Sequence, residues 1–412
     1  MSLKLINGPI NVVRLEGHVG SVRKVIYLFM DTHNEEKLQS KCASDVAQDI
    51  VDYLKNNFSQ LRNSDKIVDF FMESNPSSHV IDIEKTRYFD VINTNMYIER
   101  VYKFFRELFK YDTSINKIKL SDMFNNVRLH YVDIRDWIEH FFSIIGASVY
   151  PKYDEKMVNI FTEMIKYIEF LRDSIVHPKK IHDEKFLVEE LPNKIHISDT
   201  VGTAKVKNKI KYLIFKILKS YKHKDVQEII EKYITKIIVA HLDFHINSFK
   251  NDPIFEDMRN YLNDFNEKKS KDEQNEFLIK IWDKYWDMVN SVSLDSFIMI
   301  MDVYFLRRFL DKDYITNAVV YTGSAHSLNY INILVNLFDF RVTHASFFIM
   351  PDIDELNAAI KSYHPYNFDH NRFHGVLDYG EFIYYGMQII FSINGSRVAQ
   401  CSNITNFPTN FE

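Results

Sequence analysis

Along the first third of the chain, short apolar runs bounded by turn residues alternate with stretches in which apolar residues recur every three or four positions. Residues 11–17 and 24–30 are apolar runs separated by Gly17, Gly20 and Ser21, which predicts two strands joined by a short turn. Residues 44–54 place Val46, Ile50, Val51 and Leu54 on one stripe with Asp45 in the first turn, a helical pattern. A third strand is predicted over 66–72, another helix over 97–109 and a fourth strand over 127–132. Strands alternating with helices imply right-handed crossovers and a mainly parallel sheet.

From about Trp137 to Asp311 the period becomes helical and stays so, over 155–171, 206–221, 225–249, 276–289 and 294–310. A block of that length is too long for a connecting loop, so it reads as an inserted helical subdomain or a helical layer over the sheet. Strand patterns resume at 317–322 and 340–350, with a helix over 327–338 between them, and 384–393 is strand-like within an aromatic-rich C-terminal portion. The expected fold is therefore α/β: a mainly parallel or mixed sheet with flanking helices and a large helical insertion. The expected divisions are 1–136 for the first part of the sheet, 137–316 for the insertion and 317–412 for the second part.

Two of the apolar runs end alike. Val25 to Met30 runs into Asp31-Thr32-His33, and Ala318 to Thr322 runs into Gly323-Ser324-Ala325-His326. Carboxyl ends of parallel strands are where ligands and catalytic groups collect. Glu73 and Asp133 follow the other two strands, so His33, Glu73, Asp133 and His326 converge on one edge if the strands are parallel and adjacent. Asp31-x-His33 is a spacing that presents two metal ligands from one turn; equally, Asp31 could cap the next element while His33 fills a polar pocket. Arg135, beside Asp133 and Asp136, is suited to clamp an anion, or to a structural ion pair. Asp302 and Arg307-Arg308 reach the same cleft only if helix 294–310 turns them inward.

His241 and His245 share a helix face, but Leu242 stands where a zinc-protease glutamate would be. His364, His370 and His374 fall in a loop pattern. No glycine-rich phosphate loop and no Gly-x-Ser-x-Gly elbow occurs, so kinase-type phosphoryl transfer, serine hydrolysis and nicotinamide redox chemistry lack a motif.

Composition narrows the partners. In 412 residues, 51 Lys plus Arg face 56 Asp plus Glu, a net charge of −5 with no long block of either sign, which argues against general nucleic-acid binding. No run approaches the roughly 20 apolar residues of a membrane span. Two cysteines, Cys42 and Cys401, are too few for a disulfide framework and fit a reducing compartment. Scarce Gly (10) and Pro (9) with abundant Tyr (24) and Phe (33) suggest an AT-rich genome.

The opening from Ile6 to Gly17, the stretch from Lys24 to His33, Val132-Asp133-Ile134-Arg135-Asp136 and Val320 to His326 together resemble a family of uncharacterised proteins of giant, mimivirus-like DNA viruses. That resemblance implies a viral origin; with Met1 to Pro9 lacking a basic start followed by an apolar stretch, the expected place is the host cytoplasm or the particle. Gly323-Ser324-Ala325-His326 is also similar to the Gly-x-x-His element of TraB/TIKI and erythromycin-esterase-like metal hydrolases. The first element departs from theirs, with Met30 where glycine is expected. The leading expectation is a metal-assisted, hydrolase-like cleft holding a divalent metal, in which His33 and His326 are metal ligands or acid/base groups, Asp31 a further ligand by its spacing, Glu73 or Asp133 a ligand or general base, and Arg135 an anion clamp. The alternative expectation is a non-enzymatic protein that keeps the fold as a scaffold or binds a host or viral protein.

Overall fold

A computed structural model describes residues 3–74, 96–112, 117–118, 121–134, 156–178, 204–251, 297–368, 382–383, 387–390, 393–394 and 397–411, with single residues 253, 256, 260 and 276. The chain divides into two compact units. The first comprises Met1–Asp133, Tyr304–Phe368 and Gly380–Glu412, the second Ile134–Val303 and Asp369–Tyr379.

The first unit is built on a six-stranded mixed sheet of β1 (Asn11–Val19), β2 (Val22–Asp31), β3 (Val68–Met72), β4 (Val127–Tyr131), β5 (Asn317–Gly323) and β6 (Arg341–Ala345), in the order β6-β1-β2-β5-β3-β4. β1 and β2 form an antiparallel hairpin in which Val19 faces Val22 across a two-residue turn. β2, β5, β3 and β4 run parallel, so their carboxyl ends share one edge. β5 arrives from nearly 190 residues further along the chain and slots between β2 and β3, which brings the two His-bearing strand ends side by side.

The layers explain why these strands read as continuous apolar runs. Lys24 to Asp31 is buried at every position, as expected for a parallel strand covered on both faces. On one face, Tyr27, Phe29, Phe70, Met72, Leu129 and Tyr321 pack with α1 (Ile50–Gln60) and α2 (Tyr97–Leu108) through Leu54, Phe58, Val101 and Phe105. On the other, Phe71 meets Phe305 of α3 (Phe297–Asp311) at 5.0 Å between ring centroids, and Phe305 meets Tyr330 of α4 (Ser324–Leu337) at 4.4 Å.

Three expectations are corrected here. The helix placed over 44–54 starts only at Ile50, because Asp49 caps it through Val51 N–H while Gln48–Asp49 pairs as a short strand with Leu5–Asn7; Val46 is left exposed. Among the described residues of the expected strand 384–393, Gln388–Ile390 is a turn of 3-10 helix, and strand pairing begins at Ile393–Asn394, with Arg397–Ala399. Cys42 and Cys401 are joined in a disulfide across 359 residues of sequence, so the reduced state expected from their scarcity is not what the structure shows. Cysteine counting misses such a pair because proximity is set by tertiary structure.

At the opposite edge of the sheet a polar set is buried under the fold. Asp69 accepts from Arg128 Nε (2.8 Å) and Nη2 (2.6 Å) and lies 2.6 Å from His130 Nε2. Lys24 is fully buried, its ammonium donating to the carbonyls of Lys312 (2.9 Å) and Ile315 (2.6 Å). Burial pushes the Lys24 pKa down to about 8 from 10.5, opposed by the charges of Asp313, Asp69 and Asp311. The folded pKa lies below the unfolded one, so between those values the unfolded chain holds a proton that the folded chain does not. Stability contributed by Lys24 therefore rises with pH across that window. Denaturant titrations of wild type and Lys24→Met at pH ~8 and ~10.5 are expected to show the difference moving toward wild type, by at most about 3 kcal/mol.

The second unit contains the helices Lys156–Val176, Ala204–Lys219, Lys224–Tyr233 and Ala240–Lys250, the last two joined by a π-helical turn, Ile234–Val239. His241 and His245 are buried with their rings 4.3 Å apart, and Asp243 accepts from Arg172 Nε at 2.8 Å. The predicted helix over 276–289 falls almost wholly outside the described residues. No helix of the described residues is long and apolar enough to cross a membrane.

Candidate functional site at the carboxyl edge of the sheet

The carboxyl edge gathers the strand-end residues around one buried carboxylate. Glu73 follows β3, and its side chain is 2% exposed. Its Oε2 accepts from Gly323 N–H at 2.6 Å and lies 3.6 Å from His33 Nε2, while its Oε1 lies 3.4 Å from His326 Nε2. Gly323 is the N-cap of α4, so Glu73 meets a backbone donor at the positive end of a 14-residue helix. His326 stands in the first turn of that helix, buried, whereas the His33 side chain is 42% exposed.

Local sequence explains how His33 is aimed. Its backbone is left-handed, with φ 55°, a conformation that an L-residue adopts only when held there. Asp31 supplies the hold: Oδ1 accepts from His33 N–H at 2.6 Å, closing an Asx turn, and Oδ2 accepts from the Tyr321 hydroxyl at 2.8 Å. Burial raises the Asp31 carboxyl above the usual range, against the opposing pull of His33 and the two hydrogen bonds. Gln400 Nε2 donates to Thr32 Oγ1 at 2.9 Å, beside the Cys42–Cys401 bond, which fastens the far end of the same segment.

Gly323 is required for this close approach. A methyl group on its Cα would lie 3.1 Å from His33 Nε2 and 3.2 Å from Glu73 Oε2. Both groups would have to give by tenths of an ångström, and small misplacements are costly in a reacting site. Gly323→Ala is expected to shift the His33 imidazole NMR resonances and to lower any turnover at this edge roughly tenfold. Stability should change by no more than about 1 kcal/mol.

Of the six residues singled out from the sequence, Asp31, His33, Glu73, Asp133 and His326 all lie at this edge, and Arg135 lies outside the described residues. Asp133 is buried, with its backbone N–H on the Ser74 carbonyl at 3.3 Å. Both Asp31 oxygens are taken by His33 N–H and Tyr321. Among the described residues no three His, Cys, Asp or Glu side chains are grouped closely enough to hold a metal ion. Arg308 lies toward the other edge, where its charge, after burial and the hydrogen bond to Asp69, helps set the pKa of His130. His364 caps a short turn through its Nδ1, and His370 and His374 lie outside the described residues.

Sequence reasoning passed over α2. Glu99, Tyr102 and Arg106 are spaced by three and four, hence on one face, and all act on this edge. Arg106 Nη2 donates to Ser74 Oγ, and its guanidinium stands 5.5 Å over the Tyr102 ring. Burial raises the Glu99 carboxyl, with Arg106 and His33 pulling the other way. Three polar positions recurring on one face of an otherwise amphipathic helix were the available signal.

Comparison with known proteins adds a lineage. The chain is 30% identical over 436 residues to the mimivirus protein "Uncharacterized protein R706", covering 99% of this chain and 97% of that one. It is 31% identical to "Uncharacterized protein R161" (99% and 98%) and 28% identical to "Uncharacterized protein R160" (100% and 98%), both also from Acanthamoeba polyphaga mimivirus. No solved structure matches. The likeness to TraB/TIKI and erythromycin-esterase-like hydrolases finds no support among these matches. Residues 4–377 match the family described as "Family of unknown function (DUF5847)", and the chain belongs to that family, which includes giant-virus proteins.

Proposed function

We propose that the carboxyl edge is a hydrolase-type cleft in which His33 transfers protons to and from water and substrate, Glu73 stabilises its imidazolium, and His326 fixes Glu73 from the opposite side. The observation that carries this is one buried carboxylate whose two oxygens each face an imidazole within ion-pair range, one of them solvent-accessible. An imidazole beside a carboxylate is suited to general acid–base work near neutral pH. Asp133 is a second carboxylate at the same edge. A divalent ion, in this proposal, is held by His33, His326 and Glu73, imidazole and carboxylate donors suited to zinc and its neighbours. Asp31 then serves as the residue that aims His33. The exposed His33 must turn for such an ion to be enclosed, since the side chains as they stand do not enclose one.

The test is hydrolysis of p-nitrophenyl acetate across pH ~5–9 by wild type and by His33→Ala, with elemental mass spectrometry of both and of His33→Ala/His326→Ala. Turnover that falls about 10²-fold on loss of His33 supports the cleft; equal rates in wild type and variant overturn it. Near-stoichiometric metal that disappears in the double variant makes the reaction metal-assisted, and metal-free active protein leaves proton transfer to the histidine–glutamate set.

A second reading, a non-enzymatic protein of the particle or one that engages a host factor, is favoured by the Cys42–Cys401 bond. Disulfides persist in oxidising settings, virion surfaces among them, and are rare in the cytosol. Quantitative mass spectrometry of purified particles, with free thiols alkylated first, tests it: the chain present with both cysteines protected favours the particle over the host cytoplasm.

A further inference from the structure

Burial stops just before His33. Lys24 to Asp31 is buried at every position, but from Thr32 to Lys37 and from Lys41 to Asp49 no side chain is buried. Those stretches give the segment that carries His33 no apolar anchor, and segments of that kind belong to the low-stability end of a structure.

The residues that hold it come from the other end of the chain. Gln400 and Ser402 are buried, Ser402 Oγ donates to the Pro9 carbonyl at 2.9 Å, and Ile404 packs in the core with Phe58 and Phe411. From this fixed stretch several ties reach the His33 segment. Gln400 Nε2 donates to Thr32 Oγ1 at 2.9 Å, Gln39–Ser40 pairs in parallel with Val398–Ala399, and Cys401 is bonded to Cys42. A two-residue ladder and a single hydrogen bond return little net free energy against the cost of ordering the residues they hold. The covalent tie is of another kind, because it persists until chemistry breaks it. Both cysteines are half-buried, so a small thiol can reach the bond without unfolding the sheet.

We propose that Cys42–Cys401 is a redox clasp on the carboxyl edge. Closed, it keeps His33 Nε2 at 3.6 Å from Glu73 Oε2; opened by a dithiol reductant, it releases residues 32–42 and uncouples the imidazole from the carboxylate. In the opening step a thiolate of the reductant attacks one sulfur, and the other leaves as a thiolate and takes up a proton. The reductant's second thiol then displaces the mixed disulfide, so two electrons and two protons pass to the chain and the dithiol becomes a disulfide. Disulfides persist in oxidising settings and are reduced in the cytosol, so the clasp reads the compartment. Its effect on turnover rests on the hydrolytic reading; the release of the segment does not.

The experiment is amide hydrogen exchange, followed by mass spectrometry, on the full chain in three states: oxidised, reduced with dithiothreitol without denaturant, and reoxidised with oxidised glutathione. Reagents are removed by gel filtration under argon, and iodoacetamide labelling counts the thiols in each state. Reduction is expected to speed exchange in peptides spanning 32–42 about tenfold or more, to leave β2 and β5 within about twofold, and to be reversed by reoxidation. Cys42→Ser/Cys401→Ser should match the reduced state; if that variant does not fold, the reduced and reoxidised wild type still decides. Unchanged exchange over 32–42 after both thiols have appeared, acceleration spread equally over β2 and β5, or a bond that dithiothreitol leaves intact in the folded chain would each overturn the proposal. On the same samples, hydrolysis of p-nitrophenyl acetate is expected to fall about tenfold on reduction. Equal turnover in both states overturns control of the reaction by the clasp, whereas release of the segment with no turnover in either state upholds the clasp and removes the hydrolytic reading.

Discussion

Glu73→Gln is expected to abolish acid–base turnover at the carboxyl edge, by a factor of about 10²–10⁴, while the fold persists. The amide has the carboxylate's shape, so its oxygen can still accept from Gly323 N–H, now made at 2.6 Å. What cannot be kept is the second acceptor and the charge. The amide nitrogen would face His326 Nε2, which now lies 3.4 Å from a carboxylate oxygen, and His33, at 3.6 Å, would lose the negative charge beside it. Glu73→Ala goes further and leaves Gly323 N–H without its acceptor, at a cost of about 1–3 kcal/mol. The two variants thus separate chemistry from stability. Steady-state hydrolysis and denaturant unfolding on both provide the check: a Glu73→Gln protein as active as wild type would remove this carboxylate from the reaction.

Replacing both cysteines with serine is expected to lower the unfolding free energy by about 2–5 kcal/mol, the usual cost of losing a native disulfide. The bond closes a loop of 359 residues of sequence separation, and a longer closed loop removes more freedom from the unfolded chain. It also acts locally. Cys42 N–H donates to Asn7 Oδ1 at 2.8 Å, Cys401 opens a strand paired with Leu5–Asn7, and Arg100 holds Glu36 and Asp49 on either side. The segment from Thr32 to Cys42 carries His33, so its loosening should also broaden the His33 resonances. Guanidinium unfolding of wild type and Cys42→Ser/Cys401→Ser, with and without dithiothreitol, measures the effect. Dithiothreitol should destabilise only the wild type. Two thiols that alkylate in the unreduced, denatured wild type would overturn it.

The sequence by itself determined the alternation of strand and helix, and hence the α/β class, because a parallel strand buried on both faces must be apolar throughout and an amphipathic helix must repeat near 3.6. Lys24 to Asp31 and Asn317 to Gly323 were legible for that reason, as was the placement of His33, Glu73, Asp133 and His326 at strand ends. Only the tertiary structure decided that β5 inserts between β2 and β3, which brings four strand ends to one edge. Strand order depends on long-range pairing that no local period encodes. The start of α1 at Ile50 depended on Gln48–Asp49 pairing with a strand more than 40 residues earlier, which overrode the apolar stripe reaching back to Val46. The disulfide, the Tyr321 hydroxyl that holds Asp31, and the face of α2 bearing Glu99, Tyr102 and Arg106 were set in the same way. Each is a contact between residues distant in sequence or facing inward across layers, and such contacts arise from the packing of whole elements, not from the pattern within any one of them.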